Sequence, residues 1–148
     1  MGDTPSFDKP LTDRLLRSWS RCRRRAWLDR HGDQGKRVYT AHRTLQLDDQ
    51  QRSFVALLPH KPGHGLAACE RGEVGVVGLR LRGRTAEGYS IEAHPALLQR
   101  QPGRSRWGDY IYRPVLARQG RRLTREHRLQ LALSARLLEL FQLSLIHI

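Results

Sequence analysis

The chain has 148 residues, enough for one ordinary domain built on one core. Lys and Arg number 27 against 14 Asp and Glu, a formal net charge of +13; a compact domain this basic repels itself and calls for a polyanion, most often nucleic acid. No apolar run approaches the ~20 residues of a spanning helix and the N-terminus has no signal-peptide pattern, so no membrane partner is expected and the cytoplasm is the expected compartment.

Residues 1–10 read as a polar leader. From Leu11 to about Arg30 the pattern predicts an amphipathic helix with Thr12 as its N-cap and Gly32 past its end. Leu11, Leu15, Trp19, Cys22 and Ala26 recur at helical steps and form the expected buried stripe, with Arg14, Arg17, Arg21, Arg24 and Arg25 opposite. A second helix is predicted from a Thr40 cap to Leu58, with Leu47, Phe54, Val55 and Leu58 inward and Pro59 as its stop, followed by a loop from His60 to Gly65. At Val74 the period changes to that of a strand, which runs through Leu81 to Arg82, and Gly83 and Gly88 bracket a turn. A second strand is predicted over Tyr89 to Gln99, broken or bent at Pro95. A third covers Trp107 to Arg118, where Pro114 implies an edge position or a bulge. Thr124 then caps a last helix reaching Phe141, with Glu126 near its positive end and Leu133, Leu137 and Phe141 on one stripe. The expected fold is α+β over residues 11–142: two N-terminal helices, a three-stranded meander and one C-terminal helix. Residues 143–148, Leu-Ser-Leu-Ile-His-Ile, read as a non-native tail on a truncated chain.

The candidate binding residues are basic. Five guanidiniums along ~17 Å of helix match the scale on which duplex phosphates repeat. Arg100, Arg104 and Arg106 stand beside Trp107, whose ring offers a base a stacking platform, and Arg118, Arg121, Arg122 and Arg125 precede the last helix. Arg106, Trp107, Arg121 and Arg122 therefore join Arg14, Arg17, Arg21, Arg24 and Arg25 as the expected contacts to DNA or RNA. Lys9, Lys36 and Lys61 are the only lysines, a bias that fits phosphate recognition and a GC-rich coding sequence equally. Cys22 and Cys69 have no partners at metal spacing and are expected as reduced thiols.

Five segments together carry a resemblance. They are Ser18 to Leu28, the helix with His42, Ile91 to Leu98, Gly108 to Val115, and Leu129 to Ala135. In this order they resemble the RecB-like branch of the PD-(D/E)XK nuclease superfamily, over most of residues 11–142. The resemblance implies a restriction-endonuclease-like core in which carboxylates hold Mg²⁺ or Mn²⁺ and a metal-activated water cuts a phosphodiester. His42 matches the ligand histidine of the second helix, and Gln130 matches the glutamine of the last. The family's aspartate position is Ala96, its Asp-x-Lys falls on Leu116, Ala117 and Arg118, and Ser134 replaces a frequent aromatic residue. Alanine and leucine cannot ligate a hard cation, and Arg118 can hold a phosphate but cannot act as a general base. The resemblance therefore implies a nucleic-acid-binding protein with an eroded site, of which Arg118 and Gln130 are relics. The alternatives are an active divalent-metal DNA nuclease and a non-catalytic basic adaptor. The first uses His42, Glu92 and Asp109 as ligands, Glu92 sharing the strand parity of Ala96. The second docks on an acidic protein or on RNA.

Overall fold

The computed structural model describes residues 9–33, 35, 52–116 and 121–143, and the fold is α+β. Strand β1 (Leu11–Thr12) leads directly into helix α1 (Asp13–Arg21), where Thr12 Oγ1 accepts the Leu15 N–H at 3.1 Å as the expected N-cap. The single helix expected over residues 11–30 is in fact two. Cys22 takes an extended conformation (φ −159°, ψ 116°), and α2 (Arg23–His31) folds back along α1, tied to it by Ser18 Oγ donating to Asp29 Oδ2 at 2.6 Å. Gly32 ends α2 as expected, its N–H donating to the Leu28 carbonyl.

Of the second predicted helix, residues 40–51 lie outside the described residues; 52–56 are helical. The loop before Gly65 contains a two-residue strand, β2 (Gly63–His64), and a helix the sequence reading lacked follows it, α3 (Gly65–Glu70).

The predicted meander is replaced by two small sheets. The strand expected from Val74 divides at Gly78, whose φ of +72° turns the chain, into β3 (Gly75–Val77) and β4 (Leu81–Arg84). The strand expected over Tyr89 to Gln99 divides around Pro95 into β5 (Ser90–Ala93) and β6 (Leu97–Ser105). Strand β7 (Gly108–Val115) returns antiparallel to β6, with a register irregularity between Pro102 and Ser105. One sheet has the order β1-β5-β4 and the other β2-β3-β6-β7. Pro114 therefore sits on an outermost strand, where its missing N–H costs the ladder least.

Helix α4 (Arg125–Leu143) joins the two sheets, packing on β4, β5 and β7, while α1 packs on α4. It extends one residue into the expected foreign tail; residues 144–148 lie outside the described residues. Thr124 caps it as predicted, in a reciprocal arrangement with His127: Thr124 Oγ1 accepts the His127 N–H at 3.3 Å, and His127 Nδ1 accepts the Thr124 N–H at 3.3 Å. Leu137 and Leu138 enter a core of Ala68, Cys69, Val76, Leu79, Leu81, Ala93, Leu98 and Tyr112. Gly83 faces this helix because a Cβ there would come within 2.7 Å of Leu137 Cδ2. The Tyr110 and Tyr112 hydroxyls both donate at 2.7 Å, to the carbonyls of Cys69 and Glu73, so β7 fixes the end of α3 and supplies partners that helix ends otherwise lack. Burial pushes the Tyr112 phenol up to about 12 and the Cys69 thiol up to about 11, so both stay neutral at physiological pH.

The stripe expected to be buried on the first helix is only partly so. Ala26 is buried and Leu11 and Leu15 are half-buried, but Cys22 is exposed, as are Trp19 and Trp27 at 45% and 61%. The break at Cys22 accounts for the exposure of Cys22 itself; Trp19 precedes it on α1, and Ala26 follows it and is buried.

Candidate nucleic-acid interface

The five arginines expected on one helix face divide among different neighbours. Arg14, Arg17 and Arg21 lie on α1, and Arg24 and Arg25 on α2. Arg14 lines a cleft with Asp29 and Arg30 at the far end of α2. Arg17 and Arg21 instead reach across to the first turn of α4, where their Nε atoms lie 3.4 and 2.5 Å from Glu126 Oε2 and Oε1. The hydrogen bond from Arg21 holds the Glu126 carboxyl below the usual carboxylate range, with Arg17 adding to it and burial opposing it.

This contact has a consequence for charge. Glu126 follows Arg125 directly and lies within five residues of Arg121 and Arg122, all exposed. Glu126 thus joins α1 to the segment carrying the second arginine run, about 100 residues away in sequence. Arg17 and Arg21 contact Glu126, and the exposed Arg121, Arg122 and Arg125 stand on the segment leading to it.

Around the β6–β7 turn the expected residues are more engaged. Arg100 donates through Nη1 to the Gly72 carbonyl, and Arg106 lies over the Phe141 ring at 4.9 Å. Trp107 is half-buried in an aromatic cluster, stacked on Tyr110 at 6.4 Å and packed against Tyr112 and Phe141 at 5.7 and 5.8 Å. Its ring is used in packing, in contrast to the stacking platform the sequence suggested. Arg104 is exposed at the tip of β6.

The expected metal residues are not brought together. Glu92 lies on β5 and Asp109, exposed, on β7 in the other sheet; His42 and Arg118 lie outside the described residues. Ala96 sits in the break between β5 and β6, so the alternation that aligned it with Glu92 does not run through. Leu116 just follows β7, and Gln130 is half-buried on α4. Glu92 itself is buried, and its carboxylate is occupied by two guanidiniums and an imidazole. Arg82 Nε is 3.1 Å from Oε2, while Arg80 Nε and His94 Nε2 are 3.5 and 2.6 Å from Oε1. A divalent cation placed there would meet two guanidiniums, and no group of three His, Cys, Asp or Glu side chains suited to a metal occurs among the described residues. The donors described do not fit Mg²⁺ or Mn²⁺.

No protein-family model, curated protein or solved structure matches the chain. The site therefore has to be read from its own chemistry. Among the described residues no helix is long and apolar enough to cross a membrane.

Sequence reasoning missed Arg80, Arg82, Arg84 and His94 as a group. The signal is three arginines at two-residue spacing, Arg80 just before β4 and Arg82 and Arg84 on it.

Proposed function

We propose that the chain is a nucleic-acid-binding domain whose α+β core resembles the RecB-like nucleases and whose catalytic position is eroded. The observation that carries this reading is the pairing of Arg17 and Arg21 with Glu126, which brings α1 to the segment that carries Arg121, Arg122 and Arg125. One carboxylate fixes two of these guanidiniums, and Arg121, Arg122 and Arg125 add exposed positive charge that calls for a counterpart. A phosphate backbone supplies that counterpart and releases its condensed counterions on contact, so the affinity is salt-dependent. Erosion is supported by Ala96 and Leu116, which have no donor atoms, and by the engagement of Glu92 with Arg80, Arg82 and His94.

The test is a pair of exposed substitutions, Arg121→Gln with Arg122→Gln, measured on short duplex DNA and on single-stranded DNA and RNA. Each lost phosphate contact lowers the slope of log K against log salt by about 0.9 on duplex and about 0.7 on single strands. The double variant is expected to lose roughly two contacts. An unchanged slope would remove this patch from the interface.

A further inference from the structure

We propose that the outer face of the β4–β5 hairpin is a second phosphate-binding site, formed by Arg80, Arg82 and Arg84 and anchored on Glu92. The inference rests on the nucleic-acid reading and assigns it a surface on which none of the expected contacts lies.

Strand alternation generates the row. Leu81 and Gly83 turn inward, Leu81 into the core and Gly83 against Leu137, so Arg80, Arg82 and Arg84 project to the opposite face. Their two-residue repeat of about 6.8 Å sets the three arginines in one row along the chain. Arg82 is directly paired with Glu92 across the hairpin. Both Arg80 and Arg82 contact that carboxylate through Nε, the nitrogen nearest the chain, with side chains still 57% and 66% exposed. The Nη ends thus extend past the anchor, and planar guanidiniums held by one edge are set to engage phosphate oxygens with the other. Arg84 is held at the hairpin turn, its Nη1 donating to the Gly88 carbonyl at 3.2 Å.

The balance of charge distinguishes this row from an ordinary solvated face. Arg80, Arg82 and Arg84 outnumber the carboxylates of Glu92 and of Glu87 in the turn, and His94 places Nε2 2.6 Å from Glu92 Oε1. The anchoring of His94 is independent of Glu92: its backbone N–H donates to Oδ2 of the buried Asp13 at 3.1 Å. Pairing the carboxylate requires one guanidinium. The further guanidiniums on the same face leave it positive, a potential that attracts an external anion. The arrangement is that of an anion site built around a buried carboxylate, at a place where the family resemblance offered a metal ligand.

The experiment compares the whole chain with Arg80→Gln/Arg82→Gln and with Arg80→Lys/Arg82→Lys, binding a duplex of about 20 base pairs between about 50 and 200 mM salt. The glutamine pair is expected to lower the slope of log K against log salt by roughly 1.8, and the lysine pair to keep it. If wild type binds with a steep slope and the glutamine pair matches it, this site is wrong while the nucleic-acid reading stands. Equal loss in the glutamine and lysine pairs would assign the arginines a structural role and also overturn the site. If wild type does not bind at low salt, the reading and the site fall together.

Discussion

Gln142 offers the sharpest test of how the fold is closed. Its side-chain Oε1 accepts the Tyr112 N–H at 2.9 Å and its Nε2 donates to the Tyr112 carbonyl at 3.2 Å, so one amide satisfies the outward backbone groups of the outermost strand as a further strand would. Gln142 is 6% exposed and Tyr112 1%. Leucine at position 142 fills the same space, excludes water and leaves both backbone groups unpaired. At ~2 kcal/mol for each group the loss is about 4 kcal/mol, offset by about 1 kcal/mol of added apolar burial. Gln142→Leu is therefore expected to destabilise by about 3 kcal/mol, a fall in Tm of roughly 6–12 °C. Gln142→Ala admits water to both groups and costs roughly half as much. Urea unfolding of the three proteins gives the order directly, provided the m-values agree. Alanine costing more than leucine, or leucine within about 0.5 kcal/mol of wild type, would refute the bridging role of this amide.

Three further outcomes follow from the same geometry. The Glu126 carboxyl titrates below its ordinary range, so its contribution is present at neutral pH and is lost as pH falls through the lowered value. Glu126→Gln should cost about 1 kcal/mol at pH 7, with the gap to wild type closing in acid; a gap that stays constant with pH would contradict the pairing with Arg17 and Arg21. Gly78→Ala should cost about 1–2 kcal/mol from its φ of +72°. Removing the neighbouring imidazole with His64→Ala should not restore the loss, and full recovery in the double variant would show that the clash, not the backbone, sets the cost. In native protein iodoacetamide should modify exposed Cys22 and spare buried Cys69, whose thiol is pushed up to about 11. Rapid labelling of both by mass spectrometry would contradict the packing of Cys69 beneath β7.

Local signals were legible wherever chemistry acts over one turn. Thr12, Gly32 and Thr124 mark helix ends because capping needs only a side-chain oxygen or a chain reversal, and both show in sequence. The bend at Pro95 and the outer position of Pro114 follow from a missing N–H. The break at Cys22 was not legible, since the apolar spacing continues through it and the Ser18–Asp29 hydrogen bond that stabilises the fold-back is long-range. The division at Gly78 was hidden too, because glycine also fits an alternating strand pattern. At the site, the arginines could be named but not their neighbours. Nothing local relates Arg17 to Glu126 or Arg80 to Glu92, and it is these pairings that join distant runs into patches. Trp107 shows the converse: a ring beside arginines in sequence is placed by Tyr110, Tyr112 and Phe141 in the fold.

We propose that this basic domain binds a phosphate backbone without metal-dependent cutting. It is tested most directly by titrating the intact chain against labelled duplex and single-stranded DNA and RNA across a salt series, with and without Mn²⁺, while following substrate length. Affinity is expected to fall steeply with salt, equally with and without Mn²⁺, and the substrate to stay intact. Cleavage that requires Mn²⁺ and disappears in Glu92→Ala would contradict the eroded site, and absence of binding even at low salt would contradict the nucleic-acid reading itself.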